Sequence, residues 1–109
     1  MVTTKQQALE IAAKVRRELE KLYGKRLRGM LLFGSAARDR LDENSDIDIA
    51  IILDEIHDRF AEHERTGEVA SRISLEYDTL VSFFFVPQCD YEQGKYAAYR
   101  AIMREGISV

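Results

Sequence analysis

The sequence predicts an α/β fold of the α+β kind, a mixed sheet of three or more strands packed against about four helices. Three observations predict it. Apolar, β-branched and aromatic runs recur at Met30–Phe33, Ile47–Leu53 and Asp78–Val86, closed by turn formers or by Pro87. Ahead of the first run, Ala8, Ala12, Val15, Leu19 and Leu22 repeat at helical spacing, and charged helix-like stretches follow the other two. At 109 residues with 46% hydrophobic content, the chain suits one domain over 1–109 with one core, leaving no room for a second substrate-holding domain.

Each element has its own justification. Thr4 and Gln7 form a capping-box pattern that opens the first helix, and Gly24 ends it. Its polar face mixes Lys14, Arg16, Arg17 and Lys21 with Glu10, Glu18 and Glu20, as a solvated surface does. Lys25, Arg26 and Arg28 are a basic cluster before the first strand, read as solubilising loop charge although a place near a triphosphate stays open. Met30–Phe33 is a buried strand that stops at Gly34, and Ser35 opens a short helix through Arg40. Leu41–Ser45 is a polar loop in which Asp42 and Glu43 are solvated.

After the second strand, Asp54 to about Leu75 reads as a long helix with Phe60, Val69 and Ile73 inward and Gly67 weakening its middle. Such a helix supplies the crossover that a parallel strand pair needs. His57 and His63 are six apart, on different helix faces, which argues against a joint metal site. In the third strand, Phe83, Phe84 and Phe85 read as core rather than as a stacking platform, with one left open to face a partner. Asp90–Glu105 reads as one closing helix that packs through Tyr96, Ala97, Tyr99 and Ile102 and ends at Gly106.

Composition excludes some functions. A net charge of -3 and a pI near 5.4 argue against strong direct nucleic-acid binding. The single cysteine, Cys89, allows neither an internal disulfide nor a thiolate cluster. No apolar stretch reaches membrane-spanning length and the N-terminus lacks signal-peptide order, so a cytoplasmic protein without membrane attachment is expected.

The chemistry concentrates in Leu31–Leu53. Without a Cβ, Gly34 lets the backbone approach a phosphate, to which the Ser35 hydroxyl and neighbouring amides can donate. In Asp46-Ile47-Asp48-Ile49 the acids alternate with isoleucines, so both acids share one strand face while Ile47, Ile49 and Ile51 enter the core. The acids' Cα atoms stand roughly 6.6 Å apart, twice the strand rise. Two ionised carboxylates about 6 Å apart repel by roughly 3 kcal/mol at an effective dielectric of about 20, a cost that a strand gains nothing by carrying. A divalent cation turns that repulsion into ligation, and hard oxygen donors select Mg2+ or Mn2+ over zinc.

Gly34-Ser35, an interval of ten residues, then Asp46-x-Asp48 resembles the signature of the minimal nucleotidyltransferases, in the DNA polymerase beta-like superfamily. The resemblance implies a small nucleotidyltransferase fold and transfer of a nucleotide to an acceptor oxygen with release of pyrophosphate. It implies nucleotide binding at Gly34, Ser35 and Arg38, with ATP as donor and two Mg2+ ions. It implies catalysis and metal binding by Asp46, Asp48 and a third acid, Asp78, with Glu76 as its rival. Arg38 matches an arginine frequent in that motif, and contact with nucleotide or bracing of an acid both stay open. Small proteins of this type are commonly paired with HEPN-domain toxins, which implies an antitoxin that adds AMP to a tyrosine of its partner. An antitoxin acting by contact alone, and the catalytic subunit of a two-chain small-molecule nucleotidyltransferase, are the alternatives.

Overall fold

The computed structural model of the chain describes residues 4–38 and 46–109. The expected loop at Leu41–Ser45, with Asp42 and Glu43, and the expected helix end at Arg40 lie outside the described residues. In order, the elements are α1 (Lys5–Tyr23), a 3-10 turn (Gly24–Arg26), β1 (Leu27–Phe33), β2 (Ile47–Leu53), α2 (Arg59–Tyr77), β3 (Val81–Pro87), α3 (Gln88–Gln93), α4 (Ala97–Glu105) and β4 (Ile107–Ser108). The sheet runs β3-β2-β1-β4. β1 is antiparallel to β2 and β4, and β2 is parallel to β3 through the α2 crossover, so the sheet is mixed as expected.

Central placement explains β2. Alternate residues Ile47, Ile49, Ile51 and Leu53 pack with Ala8, Ile11, Val15 and Leu19 of α1 and with Ile73 of α2. Ala50 and Ile52 face the other way, packing with Leu31, Val86, and Tyr99 and Ile102 of α4. A strand covered on both faces reads as a nearly continuous apolar run, and Asp48 is the exception within it.

The capping box at Thr4 and Gln7 is formed, with each side chain accepting from the other residue's backbone N–H. Helix α1 buries Tyr23 rather than Leu22, which is 43% exposed, because the buried stripe continues four residues on from Leu19. Helix α2 starts later than Asp54, since the Asp58 side chain accepts from the N–H groups of Phe60 and Ala61 and caps it there. That start corrects the expectation for Phe60, which is 70% exposed. The inward stripe is Glu62, Thr66, Val69 and Ile73, and Phe60 lies about 200° round the helix from Glu62.

The expected single helix over Asp90–Glu105 is two. Gly94 adopts φ 61°, a left-handed cap that stops α3 and lets α4 restart at another angle. Tyr99 and Ile102 pack as expected, but Tyr96 and Ala97 are exposed. Past Gly106 the chain adds β4, an element without a sequence pattern of its own, against Leu31 and Leu32. No helix among the described residues is long and apolar enough to cross a membrane.

Candidate active site

The chain leaves β1 through a turn over Gly34–Arg38, in which the Arg38 N–H donates to the Gly34 carbonyl at 3.3 Å. This is one turn among the described residues. Ala36 is fully buried in the α1-side core and anchors the turn. Gly34 has φ 71°, and a Cβ there would stand 2.6 Å from Oδ2 of Asp48. The first condition demands glycine, and the second puts the turn directly against the carboxylate.

Asp48 is half-buried and pairs across the sheet with Phe33 of β1 and Ser82 of β3. Asp46 is exposed, just before β2 begins. Ile47 between them is fully buried, which turns Asp48, the next residue of the strand, to the opposite face, and Asp46 stands close enough for its charge to act on Asp48. Burial, and secondarily the charge of Asp46, push the Asp48 carboxyl above its ordinary pKa. Two interacting carboxylates, one of them drawn out of water, beside a glycine that has no side chain, fit a hard divalent cation.

The other expected site residues are placed differently. Asp78, expected at the start of the third strand, is the C-cap of α2 in a left-handed conformation (φ 51°), three residues before β3 begins. The β3 position level with Asp48 on the same face is Ser82. Among the described residues no group of three or more His, Cys, Asp or Glu side chains is arranged to hold a metal ion. Glu76, the rival third acid, is held by Lys14 Nζ at 2.5 Å on the surface of α2. Arg38 donates to Glu105 of α4 at 3.1 Å. Arg26 sits at the far end of β1, tied to Asp54 and Glu62, away from the Gly34 turn. His57 contacts Glu55 while His63 stacks edge-on against Phe85, so the two are apart.

Exchanging Gly34 for Ala tests the close approach. The left-handed conformation costs a side chain about 1–2 kcal/mol, and the new methyl group must also displace the Asp48 carboxylate. A stability loss of at least that size, read from the denaturation midpoint, is expected, together with transfer activity reduced by about 10²-fold through misplacement of Asp48. Activity within a factor of two of the parent chain would mean that the turn and the acid do not work together.

Comparison with known proteins agrees with this geometry. The family model described as nucleotidyltransferase domain matches residues 12–101. A candidate protein adenylyltransferase of Methanocaldococcus jannaschii is 35% identical over 74 residues, covering 68% of this chain and 74% of that protein. A candidate nucleotidyltransferase from Sulfolobus solfataricus superposes with a TM-score of 0.66 at 18% identity, over 95% of this chain and 80% of its own. A toxin–antitoxin solved with AMP-PNP superposes with a TM-score of 0.61 at 21% identity, over 87% of this chain and 69% of its own. These two likenesses are of fold, whereas the family match spans most of the sequence and the M. jannaschii protein is similar in sequence itself. The chain belongs to the nucleotidyltransferase domain family and is an enzyme of that type.

Proposed function

We propose that the chain is a metal-dependent protein adenylyltransferase that transfers AMP from ATP to a tyrosine of a HEPN-domain toxin, silencing it as an antitoxin. The observation that carries this reading is the contact between the Gly34 turn and Asp48, with Asp46 close enough for its charge to act on Asp48. The sequence similarity to a candidate protein adenylyltransferase and the structural likeness to a toxin–antitoxin solved with AMP-PNP support it.

In this reading the Ser35 hydroxyl and the amides of the turn donate to the triphosphate, and the bare Gly34 lets it approach. Asp46 and Asp48 hold two Mg2+ ions, or Mn2+, which supply neutralisation of the phosphates and of the departing pyrophosphate. The rigid β2 strand, with its isoleucines locked in the core, keeps the two carboxylates in position throughout. The tyrosine oxygen attacks the α-phosphorus in line. The bond to the bridging oxygen of pyrophosphate breaks, and the phenolic proton is lost to solvent or a nearby base.

Incubation with α-labelled ATP, Mg2+ and a cognate HEPN toxin is expected to label the toxin, and the label is lost when its acceptor tyrosine is changed to Phe. No transfer at any metal concentration would overturn the enzymatic reading. Before any partner is in hand, saturating ATP with millimolar Mg2+ is expected to raise the melting temperature. Ligand at 100 times its Kd adds about 2.7 kcal/mol of stability, or on the order of 10 °C for a domain this small. An unchanged melting curve would count against an intact site.

A further inference from the structure

Helix α4 presents two opposite faces. Ala98, Ala101 and Glu105 border, with Gly34 and Arg38, an open cleft of about 440 Å3 beside the turn that touches Asp48. Tyr96, Arg100, Met103 and Arg104 are exposed on the other side, within about 100° of one another at 100° per residue. From the geometry we infer that this outward face is where the acceptor protein docks, through an acidic patch of that protein's surface. The inference rests on the adenylyl-transfer reading, which needs a second protein to present its tyrosine, and extends it to the surface that receives that protein.

Charge, composition and position carry the inference. Residues 95–104 hold Lys95, Arg100 and Arg104 and no acid, although acids outnumber bases 19 to 16 over the whole sequence. Arg100 donates to the Gly94 carbonyl at 2.9 Å and has no ion-pair partner among the described residues. Arg104 stands 3.8 Å from Glu105, whose carboxylate Arg38 already engages at 3.1 Å. A positive face on an acidic chain selects an acidic partner surface and steers its approach. Among these cations stand two large apolar side chains, Tyr96 at 52% and Met103 at 47% exposure, which a nucleic acid would leave unused and a protein surface covers. The Tyr96 ring is held edge-on to Tyr99 with centroids 5.1 Å apart, and Lys95 Nζ lies 5.5 Å from its centre. Tyr99 in turn accepts from Arg59 at 2.8 Å, so Tyr96 is ordered in advance and loses little freedom on binding. Tyr, Met and Arg are the side chains in which interfaces are enriched, and a handful of them makes a hot-spot cluster. The helix is about 10 Å across, so a partner seated on the outward face lies one helix diameter from the cleft, a distance that about three extended residues span.

Calorimetric titration with a cognate HEPN toxin whose acceptor tyrosine is changed to Phe tests the face, because binding is then read without transfer. Arg100→Glu and Arg104→Glu, both at exposed positions, are each expected to weaken binding about 10-fold, and Met103→Ala about 5-fold. Raising the salt from about 0.1 M to about 1 M shortens the screening length from about 10 Å to about 3 Å and is expected to narrow the gap between the parent and the two charge variants. With the unmodified toxin, KM for the toxin is expected to rise by the same factor as the affinity falls while kcat at saturating toxin stays that of the parent. Parent affinity retained by both charge variants, or a gap that salt leaves unchanged, would overturn the docking face alone. A fall in kcat with KM unchanged would place the arginines in the chemistry and overturn it too, as would arginine-dependent binding of RNA in place of the toxin. A parent chain that neither binds the toxin nor labels it would overturn the transfer reading as well.

Discussion

Replacing Asp48 by Asn is expected to make the chain a poorer enzyme and a more stable protein. Activity should fall by at least about 10²–10³-fold, the loss typical when one group that stabilises transition-state charge is removed. Stability without nucleotide or metal should rise, because a half-buried carboxylate beside Asp46 is held above its ordinary pKa by burial and by like charge. The sign follows from proton binding. Between the ordinary and the raised pKa the folded chain binds more protons than the unfolded one, so stability falls as pH rises through that window. The cost is absent below the ordinary pKa and fully present above the raised one. Asn removes it, and with it the stabilisation by Mg2+. Melting curves of parent and variant, with and without Mg2+, should therefore cross: the variant melts higher without metal and the parent recovers with it. A variant that melts lower than the parent under both conditions would show Asp48 to be a structural acid.

This opposed effect on activity and stability also explains which parts of the site could be read from sequence. Asp46-Ile47-Asp48-Ile49 carried its own test: an acid inside an apolar strand violates the pattern around it, and a violated pattern marks function when the strand is otherwise well specified. Gly34 was legible as a turn, but the 2.6 Å approach of its missing Cβ to Asp48 was not, because that distance depends on the pairing of β1 with β2. Asp78 was misplaced along the chain for a related reason. Asp78-Thr79-Leu80 reads as a strand start, but the left-handed turn at Asp78 is a helix cap, so β3 begins at Val81 and brings Ser82 level with Asp48. The two-residue strand β4 had no periodicity to find, and it exists through pairing with Leu31 and Leu32.

Glu62 is where the largest loss of stability is expected, and no sequence signal marked it. It is 4% exposed on the inward stripe of α2, where an apolar residue would be the rule. Its carboxylate accepts from the Tyr23 hydroxyl at 2.8 Å, from Arg26 at 3.2 Å and from Arg65, so α1, the 3-10 turn and α2 are joined through one side chain. Burial alone would raise its pKa, but the hydrogen bonds from Tyr23, Arg26 and Arg65 prevail and hold it below the ordinary glutamate value of 4.5. Burial and the same carboxylate push the Tyr23 phenol up. Glu62→Ala leaves a buried hydroxyl without its acceptor and two guanidinium groups facing each other. Removing one partner of a buried ion pair costs about 3–5 kcal/mol, and because both arginines reach water about 2–3 kcal/mol is expected here, read as the shift in urea midpoint. The contribution of a lowered carboxylate is fully present above its unfolded pKa and is lost as pH falls through the folded one. The gap between parent and variant should therefore be widest above about pH 5 and close progressively under acid. Gly34 and Arg26 flank β1 at its two ends, about 25 Å apart along the strand, so nucleotide affinity of the folded variant should equal that of the parent. A stability gap independent of pH would assign the loss to packing alone and remove the ion-pair network as its cause.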